Sequence, residues 1–423
     1  MFPSRHLLLA FVLALQAQAA PPNVILINCD DLGYGDLACY GAKDIRTPQL
    51  DRMAAEGTRF TDFSVTSALC TPSRASLMTG KYPGRVGLAV GVLRPDAQNG
   101  LAGGETTLAE VFKAAGYSTG CIGKWHLGFV KGMRPMDQGF DSYYGVLHNL
   151  DKFETIVFEK EGGMPVLRGD AVEKRPAVPA EMTGLYTAEA LKFIEQHHTQ
   201  PFFLYLGHSM PHLPFDASPK FKGKSQRGLY GDVVEELDDS TGQIIEKLRT
   251  LNLAEKTLVI FTSDNGPERI TPGTAAPLSG GKHTVFEGGL RVPCLMWWPG
   301  KVPANRVCSE FVSTLDLMPT FAHLIGTPPP AQLDGFDQSS LLLGQAGATS
   351  PRTTLYSLYG LKDRRQESMR SGHWKLHLGP TPKLFDLQTD LSEASDVSTL
   401  HPDIVQQLTQ SAQDIRNSTI AAP

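Results

Sequence analysis

The sequence predicts an α/β fold: one large, mainly parallel (mixed) sheet sandwiched by helices, followed by a smaller C-terminal antiparallel sheet plus helix. Two observations predict the large sheet. Apolar runs such as Asn23-Val-Ile-Leu-Ile-Asn28 and Thr257-Leu-Val-Ile-Phe261 lack the alternation of a half-exposed strand, so they suit strands covered on both faces. Such runs alternate with stretches carrying helix start and stop signals, the pattern of repeated βα units. A third observation predicts the second sheet. After Gly326 the texture changes, with Thr327-Pro-Pro-Pro330 and a small-residue stretch over 344–350 breaking the alternation.

Each element has a local reason. The strand at 23–28 runs into Asp30-Asp31. A helix over 48–56 follows, with Thr47 at the N-cap, Pro48 at the first helical position and Gly57 as terminator. Thr107 and Glu110 form a capping box for a helix over 108–115, Gly116 ends it, and 117–122 reads as a strand. Residues 202–206 form another strand. Val234, Leu237, Thr241, Ile244, Ile245 and Leu248 then fall at helical spacing. The strand at 257–261 leads to Asp264-Asn265-Gly266, and a strand over 292–298 and a helix over 315–325 complete the pattern. Beyond the linker, 353–359, 369–378 and 384–387 read as short strands, and 403–415 as a terminal helix. The division is therefore a main, site-bearing domain over 20–345 and a C-terminal subdomain over 346–423.

Residues 1–19 read as a signal peptide: Arg5 and His6 precede the apolar run 7–15, and Ala17-Gln18-Ala19 supplies small residues for cleavage. No later segment approaches the ~18–20 uninterrupted apolar residues of a membrane helix, so an exported protein without membrane attachment is expected. With 20% charged residues and a net charge of −5, the chain offers no global basic field, and nucleic acid is not an expected partner. The six cysteines show no CxxC spacing and are too sparse for a disulfide scaffold. Cys29 and Cys121 fall in apolar runs and read as core residues, and a Cys294–Cys308 bridge is allowed but not required. No finger or ribbon spacing points to zinc.

In an open α/β sheet, ligands bind outside the carboxyl ends of the strands. That rule brings Asp30, Asp31, Asp264, Asn265, Lys124 and His126 to one edge, with His208 and His212 following the strand at 202. Adjacent carboxylates repel unless a cation or proton neutralises them. Together with Asp264 and the Asn265 carboxamide oxygen, Asp30 and Asp31 suit an all-oxygen site for a hard cation, Ca2+ or Mg2+. A pair of ordinary turns is the plainer alternative. Arg74, Lys124, His126, His212 and Lys282 add positive charge, a set suited to a small dense anion such as sulfate or phosphate. Taken singly, each also reads as a solvated charge or a satisfied loop residue. Cys70 precedes Pro72, near the start of a predicted helix over 73–79 where free N–H groups attract anions. An activated thiolate and an inert buried thiol are both open readings.

Five stretches occur in order: Asn23-Val-Ile-Leu-Ile-Asn-Cys-Asp-Asp-Leu-Gly-Tyr-Gly35, Cys70-Thr-Pro-Ser-Arg-Ala-Ser-Leu-Met-Thr-Gly80, Gly123-Lys-Trp-His-Leu-Gly128, Phe261-Thr-Ser-Asp-Asn-Gly-Pro-Glu268 and Gly281-Lys-His-Thr-Val-Phe-Glu-Gly-Gly289. Together they resemble the sulfatase family, nearest its arylsulfatase A and N-acetylgalactosamine-6-sulfatase branch. The resemblance implies an alkaline-phosphatase-like fold and oxidation of Cys70 to Cα-formylglycine by a maturation enzyme. It implies that Asp30, Asp31, Asp264 and Asn265, with an oxygen of the modified Cys70, bind Ca2+ in preference to Mg2+. Lys124, His212 and Lys282 would hold the sulfate oxygens. Arg74 and His126 would steady the modified side chain, and His126 would also serve as base. His212 matches the family histidine better than His208, through its Pro-His-x-Pro setting. The implied chemistry is covalent catalysis by the hydrated aldehyde, with His212 or Lys282 protonating the departing alcohol.

The implied partner is a sulfated small molecule or glycan, met in the periplasm, outside the cell or in a lysosome. His148 and Asn149 stand where that branch carries a serine. With residues 151–175 they are the candidate substrate selectors. Two other readings stand beside the sulfatase one: a phosphate or phosphonate ester hydrolase of the same superfamily, and a noncatalytic binder of sulfated glycans should Cys70 stay a thiol.

Overall fold

A computed structural model describes residues 21–151, 156–361 and 364–419. The predicted signal peptide and residues 152–155 of the candidate selector loop lie outside them. In chain order the strands are β1 (Asn23–Cys29), β2 (Thr58–Phe60), β3 (Phe63–Ser64), β4 (Ser118–Gly123), β5 (Ser142–Gly145), β6 (Val166–Arg168), β7 (Ala171–Lys174), β8 (Phe202–Gly207), β9 (Thr257–Ser263), β10 (Cys294–Trp297), β11 (Arg306–Cys308) and β12 (Val312–Ser313). The C-terminal strands are β13 (Thr354–Leu361), β14 (Arg364–Ser371), β15 (Trp374–Leu378) and β16 (Lys383–Asp386).

Among the described residues, ten strands form the main sheet, in the order β11-β2-β10-β9-β1-β8-β4-β5-β6-β7. Its centre, β9-β1-β8-β4-β5, is wholly parallel. Antiparallel pairing enters only outside that centre, where β10 lies between β9 and β2 and β6 and β7 extend β5. The apolar runs are covered on both faces, as their composition requires. In β1, Val24 and Leu26 enter one core and Ile25, Ile27 and Cys29 the other, the period-2 division of a strand buried on both sides. Helices Cys70–Thr79, Leu108–Ala114 and Leu317–Leu324 line the first face; Pro48–Glu56, Pro179–His197 and Gly228–Thr250 line the second.

The capping box at Thr107 and Glu110 is present, with Glu110 N donating to Thr107 Oγ1 at 3.2 Å and Thr107 N to Glu110 Oε2 at 2.9 Å. Thr47 holds the N-cap position of Pro48–Glu56, but its hydroxyl accepts from Ala38 N at 2.9 Å and makes no cap bond. The helix expected over 73–79 begins at Cys70, with Leu69 as N-cap, and every one of its residues is buried. The helix expected over 315–325 is a 3-10 turn, Thr314–Asp316, followed by Leu317–Leu324.

The C-terminal sheet is four-stranded and antiparallel, β13-β14-β15-β16, with helix Pro402–Thr419 packed on it. The run expected as one strand over 369–378 is a hairpin instead. Gly372, at φ +56°, turns the chain between β14 and β15 in the left-handed region that glycine enters without strain. All six cysteines are free thiols. Cys294 and Cys308 each pair with Phe60 from opposite sides of β2, so two strand spacings of about 4.8 Å separate them, beyond the span of a disulfide.

Candidate active site

β1 and β9 run in parallel register with Cys29 opposite Ser263, so Asp30-Asp31 and Asp264-Asn265 leave the sheet side by side. All four side chains are buried. Asp31 lies at φ +65°, unusual for a residue with a side chain, and its N–H donates to Asp264 Oδ1 at 3.2 Å. Carboxylate oxygens of Asp30, Asp31 and Asp264 and the Cys70 sulfur all lie within 4.8 Å of one another. Asn265 gives its Nδ2 to Asp31 Oδ1 at 2.7 Å and to Gly266 O at 2.8 Å, while its Oδ1 is buried without a partner. An unpartnered buried carbonyl among converging carboxylates is a donor set for a hard cation. These residues fit Ca2+ or Mg2+.

Three cations face the three carboxylates. Lys124 Nζ donates to Asp30 Oδ2 at 2.6 Å, Lys282 Nζ to Asp31 Oδ2 at 2.8 Å, and Arg74 Nε to Asp264 Oδ2 at 2.8 Å. Gly123, at φ +100°, makes the turn into Lys124, and a Cβ there would lie 1.9 Å from Gly207 O on the neighbouring strand. Arg74 Nη1 also donates to Lys124 O and to the Tyr205 hydroxyl, both at 3.0 Å. His212 Nε2 stands 3.6 Å from Asp31 Oδ2. The cluster is formally neutral by itself; a divalent ion would leave it two charges positive, a field suited to an anion.

The titration directions follow from burial and these neighbours. Burial raises Asp30, but Lys124, His212, Arg74 and Lys282 outweigh it and hold the group well below the usual carboxylate range. Burial pushes Asp264 up despite Arg74, with Asp30 and Asp31 adding to the rise. Burial also drives the Cys70 thiol well up, against the pull of Lys124 and Lys282. Cys70 is the first residue of its helix, its sulfur 3.5 Å from Asp30 Oδ1, in a setting where burial disfavours the thiolate.

His126 is buried at φ +63°, and its Nε2 lies 3.0 Å from Leu93 O. His148 Nε2 lies 2.8 Å from the same oxygen, and the two rings meet edge to face at 4.5 Å. A carbonyl only accepts, so both Nε2 atoms carry hydrogen. Burial, then Lys124, His148 and Arg74, push His126 well below its usual range, leaving Nδ1, which is buried and unpartnered, as a free acceptor. Thr71 ties this group to the helix, donating to His126 O at 3.0 Å and accepting from Leu93 N at 3.2 Å.

The structure therefore gathers Asp30, Asp31, Cys70, Arg74, Lys124, His212, Asp264, Asn265 and Lys282 at one edge, with His126 beside them. Asn149 is buried, with Oδ1 unpartnered. His208 is elsewhere, its ring among Tyr186 and Ser240. Sequence reasoning missed Tyr205, whose only signal was a polar tip in an apolar run, and the Leu93 carbonyl, for which no sequence signal exists. It also missed His283, whose Nε2 meets Glu268 Oε2 at 3.1 Å beside Lys282.

A sheet edge that gathers a hard donor set and fixed positive charge suits an enzyme acting on a small anionic ester. Comparison with known proteins narrows the class. The Sulfatase family model matches residues 22–327, and a second model, N-sulphoglucosamine sulphohydrolase, C-terminal, matches 281–418. Arylsulfatase A of Homo sapiens is 43% identical over 397 residues, covering 88% of this chain and 78% of that one. N-acetylgalactosamine-6-sulfatase of Canis lupus familiaris is 39% identical, covering 83% and 72%. The crystal structure of Ps i-CgsB in complex with k-i-k-neocarrahexaose superposes with a TM-score of 0.86 at 32% identity, covering 94% of this chain and 93% of that one. The chain belongs to the sulfatase family, and it is a sulfuric ester hydrolase with the alkaline-phosphatase-like fold. No helix among the described residues is long and apolar enough to cross a membrane.

Proposed function

We propose that this chain is exported and hydrolyses a sulfate ester carried on a carbohydrate, using Ca2+ and a formylglycine made from Cys70. The observation that carries the reading is the setting of Cys70. Its thiol is buried within 4.8 Å of the carboxylate oxygens of Asp30, Asp31 and Asp264, where burial disfavours the thiolate and an oxygen-bearing side chain would join a hard donor set. The sugar half of the reading is supported by the N-acetylgalactosamine and neocarrahexaose named for the relatives.

Asp30, Asp31, Asp264 and Asn265 would hold the cation. When present, the oxidised side chain supplies a nucleophilic oxygen and the cation adds Lewis acidity. The remaining work falls to the chain's own residues. Lys124, Lys282 and His212 bind the sulfate oxygens and compensate their charge. Arg74 fixes Asp264, the backbone of Lys124 and the Tyr205 hydroxyl through its three donated bonds. His126 Nδ1 takes up a proton at the Cys70 side chain, and His212 or Lys282 gives one to the departing alcohol. Asn149 contacts the alcohol half through its unpartnered oxygen, whereas His148, fully buried, acts on substrate through His126. The site is assigned to a domain over 20–345, with a C-terminal subdomain over 346–423.

The test is intact-mass analysis of the peptide containing Cys70, made in a host with the maturation machinery, paired with turnover of an aryl sulfate, a phosphate monoester and a phosphonate ester. The expected outcome is a peptide lighter than the cysteine form and preference for the sulfate, both lost in Cys70→Ala. A thiol of unchanged mass and no turnover would favour a glycan binder, and preference for phosphonate would move the chain to the neighbouring ester class.

A further inference from the structure

We propose that Glu268 and His283 bind the alcohol half of the substrate and select a hydroxyl-bearing sugar unit with no second anionic group beside the sulfate; this rests on the sulfatase reading above. A row of polar contacts leads outward from the carboxylate cluster. Lys282 Nζ lies 2.8 Å from Asp31 Oδ2 and 4.0 Å from Glu268 Oε2, and Glu268 Oε2 lies 3.1 Å from His283 Nε2. Side-chain exposure rises along that row, from 2% at Asp31 through 6% at Lys282 and 16% at Glu268 to 36% at His283. A sulfate bound by Lys282 has the carboxylates on its inner side, so an alcohol that leaves along this row runs toward solvent. Glu268 and His283 are the polar groups that an alcohol on this path meets.

The backbone singles out His283 independently. Among the described residues, seven non-glycines have positive φ; two of them, Asp31 and His126, belong to the site, and His283 at φ +69° is a third. Strain of this kind clusters where a side chain must be held in a functional position. The backbone N–H of His283 donates to Ala68 O at 3.2 Å, two residues before Cys70, so the His283 backbone is tied to the segment that carries Cys70. The ring of Tyr359, from β13, packs against it at 5.6 Å.

The chemistry of the pair points to hydroxyl groups. An imidazole and a carboxylate together accept and donate hydrogen bonds, as sugar hydroxyls do, whereas a flat aryl alcohol offers nothing to pair with them. Burial raises Glu268, but the His283 hydrogen bond and the Lys282 charge outweigh it and hold the carboxyl at about 2, so it is anionic at any working pH. A carboxylate or second sulfate next to the ester would meet that charge at close range and be repelled.

The test uses the matured full-length chain, with 4-methylumbelliferyl sulfate as aryl ester and a panel of monosulfated galactose, N-acetylgalactosamine and glucose, each with its disulfated counterpart. Glycine adopts φ +69° without strain, so His283→Gly should fold. It is expected to lower the sugar-to-aryl ratio of kcat/KM about tenfold or more, chiefly through KM. Glu268→Gln keeps the side-chain shape and is expected to raise turnover of disulfated relative to monosulfated sugars by about tenfold. Parallel losses on aryl and sugar esters, or unchanged ratios in both variants, would overturn the inference. So would a wild-type enzyme that cleaves the aryl ester and none of the sugars, with the sulfatase reading left standing. A wild-type enzyme that cleaves no sulfate ester would remove that reading, and this inference with it.

Discussion

The phenol of Tyr205, fully buried in β8, accepts from Arg74 Nη1 at 3.0 Å and from Asn28 Nδ2 at 3.2 Å. It is an uncharged member of a charged site. Tyr205→Phe would strip Asn28 Nδ2 of this acceptor and leave Arg74 Nη1 with the Lys124 carbonyl alone. Losing an acceptor from buried donors costs about 1–3 kcal/mol. Because Asp264 still anchors Arg74, we expect kcat/KM to fall about tenfold rather than vanish, since the loss acts through positioning. Urea unfolding and aryl sulfate kinetics of the same preparation check both halves, and unchanged stability would mean that the phenol is dispensable. Asp30, Asp31, Asp264 and Lys124 were legible in the sequence because residue type at a strand end announces chemistry. Tyr205 was not, since one hydroxyl within Phe202-Phe-Leu-Tyr-Leu206 looks like packing. The Leu93 carbonyl that fixes two histidine tautomers is backbone, and backbone atoms carry no identity to read.

At the scale of elements, β8 delivers His208 into the layer formed by helices Pro179–His197 and Gly228–Thr250. There its ring lies 6.3 Å from that of Tyr186, its Nε2 stands 3.5 Å from Ser240 Oγ, and its Nδ1 is buried without a partner. Burial holds the imidazole down at about 3. In the unfolded chain it takes a proton near pH 6.5. Between those values the unfolded state binds the extra proton. The His208 contribution is therefore complete above about pH 6.5 and is lost as pH falls toward about 3, on the order of 5 kcal/mol in all. His208→Gln removes the titration. The difference in Tm between wild type and variant should shrink from pH 7 to pH 4.5, with acid effects common to both proteins cancelling in the comparison. A constant difference would show that His208 is not the group responsible. The apolar strands and the capped helix were readable because each carries its cause within a few residues. The β14–β15 hairpin was not, because Ser371-Gly372 is a two-residue turn signal inside a strand-like run. Nor was the helix start at Cys70, where Leu69 provides no capping side chain.

At the scale of the whole molecule, the C-terminal sheet is part of the site's support. Its contact with the short helix Glu287–Leu290 contains a buried ion cluster: Lys375 Nζ meets Glu287 Oε1 at 2.7 Å and Glu393 Oε1 at 3.1 Å, and Glu393 Oε2 accepts from Glu287 N at 2.6 Å. Burial raises Glu287, but Lys375 and then Arg370 and Arg291 outweigh it and hold the carboxyl at about 2. Glu287 lies five residues beyond Lys282 in the Gly281–Gly289 motif, so the sheet that grips one end of this segment steadies the lysine at the other. The change in texture after Gly326 announced a second sheet, but its partners, 88 and 106 residues from Glu287, could not be read from local pattern. Removing one partner from a buried ion pair leaves charge uncompensated and costs about 3–5 kcal/mol. Lys375→Met should therefore lower stability by that order and raise KM for an aryl sulfate as Lys282 loses its support. Pairing it with Glu287→Gln separates this account from simple loss of packing. If Lys375 and Glu287 act as one unit, the double variant should recover at least about 1 kcal/mol relative to the sum of the single losses. Strict additivity, or a KM unmoved in Lys375→Met, would show that the C-terminal sheet merely covers the main one.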